Sequence, residues 1–157
     1  MSETRQDIRG VTIAVTQGRL LLPNATIAEV ITYSEPEPVP NAPPWLLGRI
    51  RWRGWRLPLV SFARLAGYSD SEGERGSKVA VLKALSGNPR LPYFAMLTQG
   101  FPRLTTVAAE ALLIDADAGD ALPEGVLSQV RLRDEPAAIP DLNRVESLIA
   151  EAMQHAA

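Results

Sequence analysis

Apolar and polar positions alternate near the start of the chain, with Val11, Ile13 and Val15 on one side of the pattern, and Gln17-Gly18 then leads into Arg19-Leu20-Leu21-Leu22. A period of two marks half-buried strands, and two such runs around a short polar break predict a β-hairpin. After Pro23-Asn24 the β-branched run Ile27 to Tyr33 predicts a third strand, with Ile27, Glu29 and Ile31 on one face and Glu29 the odd carboxylate in that row. Glu35 to Pro44 holds too many prolines for a central strand or a helix interior and reads as an extended connector. From Gly48 to Val60 alternation resumes, with Ile50 and Trp52 on one face and Arg49, Arg51 and Arg53 on the other, so two strands are expected to meet near Gly54.

The polar, glycine-bearing stretch 69–77 reads as a loop or internal boundary. Beyond it, Val79 to Leu85 and Tyr93 to Leu97 are almost continuously apolar, with the turn signal Ser86-Gly87-Asn88-Pro89 between them, which favours buried strands over helices. Further short strands are expected near Leu104 to Val107 and Val126 to Leu132. The one strong helical pattern follows Pro140, where Leu142, Val145, Leu148, Ile149, Ala152 and Met153 fall at i, i+3, i+6, i+7, i+10 and i+11. Asp141 is its candidate N-cap, although Arg144 stands where a capping box would need Glu or Gln. Many short strands, one terminal helix and no βαβ alternation predict an all-β domain of barrel or sandwich type. No internal repeat is evident. The expectation is a single domain over 1–157, with 1–7 a polar tail and 141–157 the C-terminal helix and its tail.

A length of 157 residues is enough for one domain with a real core. The absence of cysteine excludes disulfides, thiolate metal sites and cysteine nucleophiles, and agrees with a reducing compartment. The polar start MSETRQD has no basic-then-apolar leader pattern, and no apolar run approaches a membrane span, so the expectation is a cytoplasmic protein without direct membrane insertion. Sixteen basic and eighteen acidic residues give a net charge of −2, so no global field draws the chain to nucleic acid.

Candidate chemistry is sparse. His155 is the only histidine and lies beside the end of the sequence, a poor place for a triad or a metal shell. Asp115 to Asp120 has the look of a calcium loop, but Asp120 and Val126 stand where an EF-hand needs glycine and glutamate, so a solvated acidic loop is the better reading. Glu35 and Glu37 sit among prolines without an apolar pocket to raise a pKa. No phosphate-binding glycine motif, nucleophile elbow or zincin motif is present. The expectation is therefore no enzyme, no catalytic residue, no metal and no cofactor.

The basic stripe Arg49, Arg51, Arg53, joined by Arg56, is more informative, because alternation puts the first three on one face, where they call for acidic neighbours. Glu29 is the candidate partner of Arg53 across strands. Trp52 and Trp55 among these arginines also allow a single-stranded nucleic-acid-binding β-barrel, a reading the acidic total weighs against. Pro40 and Pro43 have PxxP spacing, yet a plain connector accounts for them more simply.

Glu29 to Gly67 carries a more specific pattern: a strand with Glu and a hydrophobic residue, then Val39-Pro40-Asn41-Ala42-Pro43-Pro44-Trp45-Leu46-Leu47-Gly48, then Arg53-Gly54, then Leu57-Pro58-Leu59-Val60, ending in Phe62-Ala63-Arg64-Leu65-Ala66-Gly67. In order and spacing it resembles the CheW family of chemotaxis coupling proteins. The resemblance implies two small five-stranded SH3-like β-barrels packed on a shared core, with the C-terminal helix added, and no catalysis. It implies two protein-binding surfaces, one for the regulatory domain of a histidine kinase and one for the cytoplasmic tip of methyl-accepting chemoreceptors.

Within that resemblance Glu29 matches the family's strand glutamate and Arg53 its Arg-Gly arginine, a pair thought to support coupling. Ile27, Glu29, Ile50, Arg53 and Trp55 are the candidate partner-binding residues, with core packing the competing role for the two isoleucines. Arg51-Trp52 stands where Asn-Leu is usual, Ser61 replaces a common aspartate, and the second half lacks the usual Val-Asp-x-Val run. These departures suggest a specialised relative from a chemosensory system that controls type IV pilus twitching motility.

Overall fold

In the computed structural model, residues 8–69, 77–85, 87, 89, 91–107, 112–114, 122–132 and 135–155 are described. The N-terminal alternation forms the expected hairpin, β1 (Ile8–Val15) with β2 (Gly18–Pro23), in which Val11 faces Leu22 and Ile13 faces Leu20. A single 3-10 turn at Asn24–Thr26 leads to β3 (Ile27–Thr32), and β4 (Leu46–Trp52) and β5 (Trp55–Val60) form the second hairpin. There follow a short helix α1 (Phe62–Leu65) and strands β6 (Ser77–Lys83), β7 (Tyr93–Gln99), β8 (Arg103–Val107), β9 (Leu112–Ile114), β10 (Val126–Leu132) and β11 (Glu135–Pro140), then helix α2 (Leu142–His155). The Asp115–Asp120 segment and most of the 69–77 stretch lie outside the described residues.

Backbone pairing arranges these strands as a six-stranded sheet, β8-β1-β2-β11-β10-β9, and a five-stranded sheet, β3-β6-β7-β5-β4. Two β halves and a C-terminal helix are the architecture expected. One sheet has six strands instead of five, and among the described residues neither closes on itself through backbone hydrogen bonds. The pattern of polar and apolar positions had not marked β9 or β11. In β11 prolines at both 136 and 140 hide a strand that nonetheless pairs with β10 along its length and meets β2 in parallel at Ala138 and Leu20. Arg19 also donates to the Glu135 carboxylate there, and that hydrogen bond and charge hold the Glu135 carboxyl below the usual carboxylate range.

Three apolar clusters explain the sequence patterns. Val79, Val81, Ala95 and Leu97 of β6 and β7 join Ile50, Trp52, Leu57 and Leu59 in the second sheet's own core. The alternate residues Ala80, Leu82, Phe94 and Met96 join Val11, Ile13, Leu20, Leu22, Val60 and Phe62 in a core shared between the sheets. A strand buried on both faces must be apolar at every position, which is why these two runs do not alternate. A small third cluster, Leu21, Val130, Leu132 and Ala137, lines the far side of the six-stranded sheet.

Helix α2 completes the shared core with Leu142, Val145, Ile149 and Ala152. Asp141 is its cap, accepting the Arg144 N–H on Oδ1 at 3.1 Å. Glu146 is buried on the same helix, and its Oε2 accepts the Leu85 N–H at 2.7 Å, a tether to the end of β6 that hydrophobic periodicity could not reveal. At α1 the buried Ser61 accepts the Arg64 N–H at 3.2 Å, so serine here performs the capping an aspartate would also provide.

The proline-rich connector lies along β4, where Glu37 and Arg49 exchange both backbone hydrogen bonds at 2.8 Å, and Val39 is anchored in the shared core. That approach requires Gly48. Its φ is +146°, and a Cβ would lie 2.5 Å from the Glu37 carbonyl oxygen. Gly48→Ala is expected to destabilise the protein by about 1–3 kcal/mol, the usual cost of a strained backbone position. Urea unfolding should show the midpoint falling with an unchanged slope; an unchanged midpoint would mean that the connector yields without cost.

Candidate partner-binding site

The β4–β5 turn sets the site. Arg53 and Gly54 are its two central residues, with φ of +49° and +82°, and Trp52 pairs directly with Trp55. Positive φ at both positions is the type I′ geometry that suits the twist of a two-residue hairpin. The turn takes Arg53 out of the alternation that Arg49 and Arg51 follow.

Arg53 meets Glu29, which comes from the opposite edge of the five-stranded sheet. Its Nη2 lies 2.9 Å from Glu29 Oε1, and Trp52 Nε1 donates to the same oxygen at 3.0 Å. The Arg53 guanidinium also stands 5.0 Å from the Trp52 ring centroid. β3 and β4 are the two edges of this sheet, so the pair bridges a seam instead of neighbouring strands. The sheet is rolled until its edges meet, and side chains close what the backbone leaves open. Arg53 is 70% exposed and Glu29 38%, so the ion pair itself contributes only about 0–1 kcal/mol.

Trp52 is buried beneath the pair and packs edge-on to Tyr93, with ring centroids 4.9 Å apart. Trp55 flanks the same tyrosine at 6.4 Å but is 40% exposed. Glu29, Arg53 and Trp55 therefore share one end of the second sheet and are open to solvent there.

The two isoleucines part from them. A bulge between Ile27 and Glu29 pairs Ile27 with Leu82 and Glu29 with Val81. Ile27 consequently packs against the shared core, while Glu29 and Ile31 follow the other face. Strict alternation had put all three together, and the inserted residue is what separates them. Ile50 is only 6% exposed and belongs to the second sheet's core.

The remaining arginines have different surroundings. Arg56 Nη2 approaches Glu37 Oε2 at 3.7 Å, Arg51 is exposed, and Arg49 is half-buried. Tyr93 and the burial of Trp52 were not anticipated as parts of the site; the only signal for them was their place in otherwise apolar strands. No group of three or more His, Asp or Glu side chains among the described residues could hold a metal ion.

Two packed β halves, a helix that seals their common core and an ionic latch at one sheet's seam define a CheW-like fold. The CheW-like domain family matches residues 9–149, and the chain belongs to that family. Fifteen solved chains match this structure. One is described as the crystal structure of the scaffolding protein TtCheW from Thermoanaerobacter tengcongensis, with a TM-score of 0.72 at 13% identity over 90% of this chain and 89% of that one. Comparison with curated proteins returns no match.

The latch separates two contributions that substitution can tell apart. Glu29→Gln keeps an acceptor for Trp52 Nε1 while losing the charge, and should change stability by less than about 1 kcal/mol. Glu29→Ala leaves the indole N–H without its partner and should cost about 1–3 kcal/mol. Tryptophan emission during urea unfolding reads both; equal losses would mean that the charge, and not the indole bond, holds the seam.

Proposed function

We propose that the chain is a non-enzymatic adaptor that couples chemoreceptors to a CheA-type histidine kinase in the bacterial cytoplasm, in a chemosensory pathway controlling type IV pilus twitching motility. The observation that carries this reading is the exposed cluster of Glu29, Arg53 and Trp55, held in place by the type I′ turn and the seam latch. A rigid surface with an arginine and an aromatic residue at its centre is what a protein interface uses for its strongest contacts. Family membership supports the adaptor role, and the structurally similar TtCheW is described as a scaffolding protein. No helix among the described residues is long and apolar enough to cross a membrane.

The single-stranded nucleic-acid reading is weaker on the same geometry. Trp52 is 8% exposed and offers no stacking face, and Arg53, the arginine between the two tryptophans, is already paired with Glu29. A modest adaptor interface binds weakly on its own and gains strength from repeated contacts in an array.

A pull-down with the C-terminal regulatory domain of the kinase from the same cell tests the reading. The natural protein should bind, and Arg53→Glu should lose about tenfold or more in affinity with its circular dichroism unchanged, as expected for a central interface arginine. Failure of the natural protein to bind would overturn the kinase partnership. Deleting the protein should abolish twitching and leave swimming intact; the reverse would place it in a flagellar pathway.

A further inference from the structure

The β4–β5 hairpin carries a second constellation on its outer face. Arg51 pairs with Arg56 and Arg49 with Pro58, so these four residues share a side of the sheet. The end of α2 lies against this side, and Arg49, Arg56, Pro58, Leu91, Ala150 and Met153 line an open groove of about 350 Å³.

Its two cations are weakly claimed. Arg49 Nε is buried and has no hydrogen-bond partner among the described residues, whereas the comparable Arg64 at least donates through Nη1 to the Pro44 carbonyl at 3.1 Å. Arg56 has Glu37 at 3.7 Å, beyond hydrogen-bonding distance, and is exposed. Arg49, whose Nε has no acceptor among the described residues, and Arg56, whose ion pair with Glu37 is long and solvent-exposed, favour an incoming carboxylate, which a guanidinium can bind through two parallel N–H donors. Between the arginines and α2 the lining is aliphatic apart from Gln154, and Met153 is a side chain that adapts its shape to what it covers.

We propose that this groove docks an acidic segment of a partner protein, one that places a carboxylate at Arg49 and Arg56 and a neighbouring aliphatic side chain on Pro58, Leu91 and Met153. Charge complementarity selects the acid, and the apolar lining selects a protein over other anions. A phosphate or a nucleic-acid backbone would engage the arginines and leave the aliphatic surface uncovered. The volume is at the small end for ligand cavities and the groove is open, which suits a pair of side chains from an extended or helical segment. Arg49 lies four residues from Arg53 along the hairpin, roughly 13 Å at the rise of a strand, so this surface is separate from the seam cluster. It does not depend on the adaptor reading.

The test uses the full chain and a peptide library of acidic, basic and neutral sequences, with affinities read by fluorescence anisotropy. Sequences combining Asp or Glu with Leu, Ile or Val should be selected. Their binding should fall about tenfold for Arg56→Gln, which is exposed and so leaves the fold intact, and further for the Arg49→Gln and Arg56→Gln double variant, as loss of charge-assisted hydrogen bonds implies. Met153→Glu should weaken the same peptides, whereas Arg53→Glu should leave them unchanged. Selection of no acidic–aliphatic sequence, equal binding by the double variant, or complete displacement by inorganic phosphate at constant ionic strength would each overturn the proposal, the last by reducing the groove to an anion site.

Discussion

The hairpin formed by β6 and β7 is the constraint on which the rest of the molecule depends. Its alternate side chains feed two cores at once: Val79, Val81, Ala95 and Leu97 inward to the second sheet, and Ala80, Leu82, Phe94 and Met96 outward to the core shared with the first sheet and α2. Burial of a large aliphatic or aromatic side chain contributes about 1.5–3 kcal/mol, so this one wall supplies a large share of both clusters. It also fixes register, because a slip by one residue would exchange the two sets of side chains between cores of different shape. The second sheet and the shared core are therefore mechanically one object, and the seam on the sheet's far side is positioned by it.

A rolled sheet whose edges do not pair through the backbone exposes donors and acceptors along both edges, and proteins must manage such edges. Here the edges are joined at one end by Glu29, Trp52 and Arg53. The exposed ion pair is worth little in stability, so its consequence is geometric. It fixes the direction of Arg53 and keeps Trp55 beside Tyr93 at the rim. A surface that must present an arginine and a tryptophan in one orientation gains more from this latch than the fold does. The half-buried indole bond below is the part of the cluster with structural weight.

Much of this was legible from the residues. The N-terminal hairpin, the strands around Gly54, the buried runs and the helix from Leu142 with its Asp141 cap all follow from periods and turn chemistry that are local, and the Glu29–Arg53 pairing is the one long-range contact that charge matching brought within reach. What was not legible is what depends on a partner distant in sequence. β11 owes its existence to β10 and β2, not to its proline-bounded sequence. The bulge that turns Ile27 away from Glu29 has no glycine or proline to announce it; it follows from the register with β6. The Glu146 carboxylate reads as an ordinary helix-surface residue until Leu85 is seen beside it. The pairing of Glu29 with Arg53 was anticipated between strands, and the finding that it spans a seam required the sheet order.

The arginine stripe shows how one stretch of alternating sequence can serve two surfaces. A period of two would have kept Arg49, Arg51 and Arg53 in a row, where their mutual repulsion would call for acidic neighbours along the whole edge. The positive φ at Arg53 and Gly54 breaks the row at its end and delivers one cation to Glu29. The two that stay on the outer face are joined there by Arg56 from the other arm of the hairpin, which meets Glu37 on the connector. The turn thus divides a like-charged strand into a satisfied cluster at the seam and a less satisfied one beside α2. Charge that is tightly paired sets shape, while charge that is only loosely paired, as Arg56 is with Glu37, remains available to a partner, and this hairpin has both within a few residues.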